Sequence, residues 1–468
     1  MNKTKIIATL GPKSSKPNAI SSLILNGVNV FRINMSHVND YSDLNKTVEL
    51  IRQKSDDLNY QVGILMDIAG PKIRVKTTSD PIKVKKGDSL TIGFGKADIK
   101  INLNLSFKSV KLKSKIRIDD GKLSFSVSKV LSQKRLEVEA LSDGTIKPGK
   151  GVNFPNIKLD IPVLTKKDIR DIKVGIRLDV DWFALSFVRS KNDMRAIKKI
   201  LNESKSNKPV IAKIGKPEAV KKLDSIIEAF DGILVARGDL GVEMGYEKVP
   251  IIQKRITRLC HKYGKPVILA TQMLESMIYN DTPTRAEVND IAVAVEQSCD
   301  AVMLSAETSV GKYPIKSVKI MNRVISNMES EISNYSNYKG VNPLISKMDT
   351  QVSICHSASN IANELDIKLL IAMTESGSSA INISLFRPNA RIIAMTPNKN
   401  ISNKLSLIWG LETMNVEDFK NTDEMIDMVE KYLVSNKILK VNDKYVIIAG
   451  VPVGISGTTN LIRVESVK

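Results

Sequence analysis

"VIAKIGKPEAV", residues 210–220, opens as a buried strand should, with Val210, Ile211 and Ala212 in succession, and then sets a lysine between Ala212 and Ile214. Gly215 follows, so no carboxylate adjoins Lys213 in sequence, and an unpaired charge in a dry site is costly. Either the ammonium reaches water or an anion comes to it. From Pro217 onward "PEAVKKLDSIIEAF" has a helical pattern, and proline is favoured in a first helical turn. An apolar strand, a polar end and then a helix is therefore the unit to seek elsewhere in the chain.

The unit recurs in "KIIATLG" (5–11), "VNVFRINMS" (28–36), "VGILMDIAG" (62–70), "WFALSFV" (182–188), "GILVARGD" (232–239), "PVILATQM" (266–273) and "AVMLSAET" (301–308). Strand-helix alternation at this frequency, eight times within about 250 residues, predicts an α/β fold of the (β/α)8 TIM-barrel type, with a doubly wound sheet as the alternative. The polar residues favour the barrel. Arg32, Asn34 and Ser36, Asp67, Ser186, Lys213, Arg237 and Asp239, Thr271 and Gln272, Ser305 and Glu307 all fall at strand exits. A barrel brings those exits to one face, where such folds carry their active sites. A capped strand end explains any one of these residues but not the set.

The third strand is followed by alternating short strands and tight turns instead of a helix, as in "IKVKKGDSLTIGF" and "KIRIDDGKLSFSVSKV". This predicts an inserted β-barrel lid domain over 74–151, with the catalytic barrel spanning 1–73 and 152–330. A linker is expected over 331–345 and a C-terminal α/β domain over 346–468. The turns "TESGSSA" and "GISGTTN" in that last domain offer amides and hydroxyls suited to phosphate, although small-residue turns also occur for steric reasons alone.

The chain has 468 residues, 42% hydrophobic and 26% charged, with a formal charge of +20. The lysines are spread along it and form no tail or stripe, so the excess reads as solvated surface that favours acidic ligands, with no nucleic-acid partner expected. Three cysteines without CxxC spacing indicate neither a disulfide framework nor a zinc site. The apolar run at the N-terminus is too short for a signal-peptide core, and no stretch approaches the ~18 apolar residues of a membrane span. A soluble, cytoplasmic protein is expected.

Arginine, lysine, aspartate and hydroxyls under a lid suit a phosphorylated, multiply anionic substrate whose charge is neutralised during transfer. There is no Walker loop and no kinase-type glycine-rich loop, so side chains and metal must hold the nucleotide phosphates. Of the three histidines only His37 stands at a strand exit, which argues against a histidine-centred hydrolase.

The motifs "FRINMSH", "GPKIR", "GKGVNFP", "LSFVRS", "VARGDLGVE", "ATQMLESM", "PTRAEVNDIA", "DAVMLSAETSVGKYP" and "GTTN", in this order over essentially the whole chain, closely resemble the pyruvate kinase family. The resemblance implies phosphoryl transfer from phosphoenolpyruvate to ADP, giving pyruvate and ATP. It assigns Arg32 to the substrate phosphate and Lys213 to the phosphoryl group in flight. Asp239 becomes a ligand of Mg2+ or Mn2+, and Gly238 with Thr271 receives the substrate carboxylate. Arg74, His37 and Lys150 contact the nucleotide, and Thr271 and Ser305 lie where the enolate is protonated. A homotetramer and a regulatory C-terminal domain are also implied, with either a phosphorylated effector there or none. Glu375 in "TESGSSA", with no basic residue beside it, argues against fructose 1,6-bisphosphate.

Two departures stand out. The family's second metal-binding glutamate corresponds to Gly215, which implies a weakened divalent site. Glu218 is close in sequence, but it falls in a first helical turn, where acids are favoured anyway. The family's potassium site corresponds to Asn34, Ser36, Asp67 and the backbone of Ile68, with a glutamate matching Lys72. Lysine there is the mark of potassium-independent members, its ammonium supplying the charge of the ion, so K+ is not expected to be required. The alternative to an active enzyme is a weak or inactive paralogue that binds metabolites.

Overall fold

The computed structural model describes residues 2–468 except 39, 77–80, 156, 158, 335–347, 420 and 452–458. Strands Lys5–Thr9, Val28–Asn34, Gly63–Ile68, Trp182–Leu185, Val210–Ile214, Gly232–Ala236, Val267–Ala270 and Ala301–Leu304 pair in parallel, in chain order, into one closed eight-stranded barrel. All eight stretches read as strands are strands. Because successive side chains alternate across a strand, Ile7, Val30, Leu65, Ile211, Leu234, Ile268 and Met303 share one cluster, the barrel interior. Their neighbours Ile6, Ala8, Phe31, Ile64, Met66 and Ala212 belong to the cluster under the surrounding helices.

That two-residue period decides what reaches the mouth. Thr9, Arg32, Asp67, Ser186 and Lys213 each stand two positions after an interior residue: Ile7, Val30, Leu65, Ala184 and Ile211. They therefore form the layer above the packed interior, and the lysine of the opening stretch points into the barrel mouth.

Two local expectations are corrected. The helix after Gly215 is broken into Pro217–Val220 and Leu223–Ala229, because Lys222 leaves helical geometry at φ −122° and ψ 25°. Arg237 and Asp239 are not strand residues: the strand ends at Ala236 and helix Arg237–Met244 begins at once.

Between the third and fourth barrel strands lies an all-β insertion. A pair, Ile82–Val84 with Gly144–Ile146, accompanies a six-stranded sheet ordered Val152–Asn153, Lys115–Ile118, Leu123–Ser132, Arg135–Ala140, Ser89–Gly93 and Ile99–Lys100. It has its own core, including Phe107, Ile116, Phe125, Val138 and Phe154. The Asp119-Asp120-Gly121 turn has positive φ at all three residues, a conformation that Asp and Gly tolerate best.

The C-terminal unit is a five-stranded sheet, ordered Leu411–Asn415, Arg391–Thr396, Leu369–Met373, Lys444–Gly450 and Thr459–Ser466, parallel except for the last strand. It docks at the opposite end of the barrel from the polar layer. There the Lys5 ammonium, fully buried, donates to the Leu411 carbonyl at 2.7 Å. Burial pushes the pKa of Lys5 down to about 8, against the pull of Glu412 and Glu329. Gly410 N–H donates to the Lys3 carbonyl at 2.8 Å, and Lys3 Nζ donates to the carbonyls of Pro388 and Asn389, each at 2.9 Å. The last barrel helix, Pro314–Asn334, runs into the segment read as a linker, whose residues 335–345 lie outside the described residues. Most of "GISGTTN" lies outside them as well. Among the described residues no helix is long and apolar enough to cross a membrane.

Candidate active site

Asp67 is the centre of a polar network across five adjacent barrel strands. Its carboxylate accepts from Arg32 Nε at 2.8 Å and from Lys213 Nζ at 2.9 Å on each oxygen, and Arg32 Nη2 lies 2.6 Å away. Arg32 Nη1 donates to the Thr9 hydroxyl at 3.0 Å, and that hydroxyl donates to the Leu304 carbonyl at 2.8 Å. Lys213 Nζ also reaches Ser186 Oγ at 3.0 Å, while Ser186 donates to the Ile68 carbonyl at 2.7 Å. Burial pushes the Asp67 carboxyl up, but the charges of Lys213 and Arg32 outweigh it and hold the group below the usual carboxylate range. One buried anion thus lets two cations stand side by side at the mouth.

These groups open into a cleft of about 210 Å³ lined by Arg32, Asn34, Ser36, His37, Asp67, Ala69, Lys72, Arg74, Ser186, Phe187, Lys213, Gly215, Ala236 and Asp239. Arg74 carries the cleft onto the lid: it bridges to Gly151, and its Nη1 donates to the Gly149 carbonyl at 2.9 Å. Lys150 is elsewhere on the lid, its ammonium 2.7 Å from Asp119 Oδ1, and does not line the cleft.

Gly238, Thr271 and Ser305 also lie outside the cleft lining, on the neighbouring strand exits. Thr271 has φ +71°, strained for a β-branched residue, and Gln272 follows at +55°. Arg237 holds this turn: its Nη2 donates to the Thr271 carbonyl at 2.5 Å, its Nε to that of Ala270 at 3.1 Å, and its Nη1 pairs with Asp290 at 2.6 Å. Thr271 Oγ1 accepts from Gly238 N–H at 2.9 Å, which fixes the hydroxyl against the start of helix Arg237–Met244. The Glu307 carboxylate accepts from the amides of Ser305 at 2.7 Å and Leu274 at 3.2 Å, tying the last two strand exits together, and burial pushes its pKa up.

The donor set is that of a hard cation that keeps its water. Asp67 is committed to Arg32 and Lys213, whereas Asp239 faces the cleft without a hydrogen-bond or ion-pair partner among the described residues. No group of three or more His, Cys, Asp or Glu able to hold a metal occurs among those residues. One carboxylate, completed by substrate oxygens and water, fits Mg2+ or Mn2+ but not a zinc-type cage. Of the four groups expected to surround a potassium ion three are already engaged: Asp67 as above, the Ile68 carbonyl by Ser186, and Asn34 Oδ1 by Ser36 N–H at 3.2 Å. Lys72 lines the same cleft.

Thr9 was not among the sequence candidates, yet it holds Arg32. The signal was present, since "KIIATLG" also ends on a hydroxyl. Glu243 and Lys216, 2.5 Å apart, were missed as well, because their partners come from distant parts of the chain.

The chain is similar to known proteins over its whole length. The family described as pyruvate kinase, barrel domain, matches residues 1–318, and that described as pyruvate kinase, alpha/beta domain, matches residues 352–465. Pyruvate kinase 2 of Synechocystis is 39% identical over all of this chain and 79% of its own length. A pyruvate kinase of Methylorubrum extorquens is 39% identical over 99% of this chain and 97% of its own. The crystal structure of a pyruvate kinase from Cryptosporidium parvum superposes with a TM-score of 0.92 at 32% identity, covering 100% of this chain and 96% of the other.

Proposed function

Since the chain belongs to the pyruvate kinase family, and is thus a glycolytic phosphotransferase acting on phosphoenolpyruvate and ADP, we propose that it works without potassium and with a loosely held divalent metal. The observation that carries this reading is the cleft itself, in which Asp239 stands against a glycine and Lys72 shares the lining with Asn34, Ser36 and Asp67.

In this reading Arg32 and Lys213 bind the phosphate of phosphoenolpyruvate, and the bridging P–O bond breaks as a β-phosphate oxygen of ADP forms the new one. Positive charge fixed in advance stabilises the group in flight, because the network around Asp67 leaves nothing to reorganise. A divalent ion held by Asp239 supplies further charge neutralisation when bound. Gly238 and Thr271 receive the substrate carboxylate, and the hydroxyls of Thr271 and Ser305 bring a proton to the enolate carbon, giving pyruvate. Arg74, His37 and Lys150 meet the nucleotide phosphates, Lys150 exchanging Asp119 for phosphate as the lid closes. A cytoplasmic homotetramer completes the reading. A phosphorylated effector would sit on the turn where Gly377 N–H meets Thr374 Oγ1 at 2.9 Å.

A coupled assay of pyruvate release in sodium-free Tris buffer tests the reading. Activity should require Mg2+ or Mn2+ and should be unaffected by K+, and Lys72→Glu should create a potassium requirement. Strong activation of the unmutated enzyme by K+ would overturn the potassium part. Saturation at low Mg2+, unchanged when Gly215 is altered, would overturn the metal part.

A further inference from the structure

Three lid residues converge on one short barrel segment. Asn153, in the strand by which the chain leaves the lid, donates through Nδ2 to Glu243 Oε1 at 2.7 Å. Arg117, its register partner in the lid sheet, donates through Nη1 to the Val242 carbonyl. Tyr246 OH reaches the Asp120 carbonyl at 3.5 Å, beside Gly121. Glu243 itself is 3% exposed, and the same Oε1 that takes Asn153 takes Lys216 Nζ at 2.5 Å.

The segment is not a neutral anchor. Glu243 and Asp239 are one helical turn apart on helix Arg237–Met244 and share a face. Lys216 immediately follows Gly215, which packs against Asp239. A single buried carboxylate therefore ties together the lid's exit strand, the end of the Lys213 strand and the helix that presents Asp239. Because the carboxylate is buried, neither donor can be exchanged for water without cost.

We propose that Glu243 is a positioning residue that registers the lid against the metal-bearing helix, so that lid posture and the placement of Asp239 change together. Nucleotide binding, which draws on lid residues, is the step that should feel its loss. Phosphoenolpyruvate binding should feel it less, because its phosphate is held by Arg32 and Lys213 and Gly238 is pinned by Thr271 at the start of the helix. The inference rests on the lid and Asp239 roles proposed above.

The full-length enzyme tests it at saturating Mg2+, where the number of carboxylates holding the metal no longer matters; the metal reading is judged separately, from the Mg2+ dependence of the unmutated enzyme. Asn153→Ala should raise the KM for ADP about fivefold, the effect of one lost hydrogen bond, and Glu243→Ala, which also strands Lys216, at least as much. The KM for phosphoenolpyruvate should stay within about twofold. The double variant should be no worse than the poorer single one, because both remove the same contact. Glu243→Gln, which can still accept from Asn153, should fall between Glu243→Ala and the unmutated enzyme. An unchanged ADP KM in folded single variants, multiplicative effects in the double variant, or equal loss for both substrates would each overturn the proposal. If Glu243→Ala does not fold, Asn153→Ala decides alone through its ADP-against-phosphoenolpyruvate split.

Discussion

Gly215 and Asp239 occupy each other's space: a Cβ on Gly215 would lie 2.8 Å from Asp239 Cβ and 3.4 Å from Oδ2. The glycine is thus more than a missing ligand. The Cβ of Asp239 crowds the place where a side chain at position 215 would begin.

Gly215→Ala, which adds bulk and no ligand, should therefore push Asp239 aside and raise the Mg2+ concentration needed for half-maximal activity. Gly215→Glu adds the same bulk together with a carboxylate, and should lower that requirement about tenfold relative to Gly215→Ala. Mg2+ titrations of the three proteins, read by pyruvate release, check this. Identical behaviour of the alanine and glutamate variants would show that a side chain at 215 does not reach the metal.

Thr9→Val removes the acceptor of Arg32 Nη1 while keeping the shape of the side chain. The guanidinium should stay on Asp67 through Nε and Nη2 but lose its fixed tilt. The KM for phosphoenolpyruvate should rise about fivefold, with a smaller change in that for ADP. Thr9→Ser, which retains the hydroxyl, should restore the unmutated value in the same steady-state assay.

Asp67 should contribute to stability with a definite sign in pH. Its carboxyl lies below the ordinary range when folded, so its contribution is fully present above the unfolded value of about 3.9 and is lost as pH falls through the folded value. Asp67→Asn at neutral pH leaves Arg32 and Lys213 crowded without a counter-charge and should cost about 3 kcal/mol. Urea midpoints of both proteins should differ at pH 7 and converge only in strong acid.

The architecture was legible because its signals are local and repeated. Alternation places Ile211 and Lys213 on the same face of their strand, so a reader of "VIAKIG" can infer that the lysine tops the barrel interior. The identity of the anion that meets it was not legible, because Asp67 is 146 positions away and only barrel closure brings the two together. The assignment of Arg237 to a strand end failed for a related reason: strand and helix abut at Ala236 with no turn residue between them. Its clamp on Thr271 depends on the sixth and seventh strands lying side by side. Lys150 carries a motif, yet the nearest opposite charge, Asp119, comes from the same lid.

The docking of Lys3 and Lys5 onto residues 388–411 has a consequence for biogenesis. The first barrel strand keeps its ammonium and carbonyl partners waiting until the C-terminal unit has been made. A nascent chain stalled after the barrel would therefore hold a desolvation-prone cation at an unfinished end. Completion of the barrel's lower end is thus deferred to the unit that follows it.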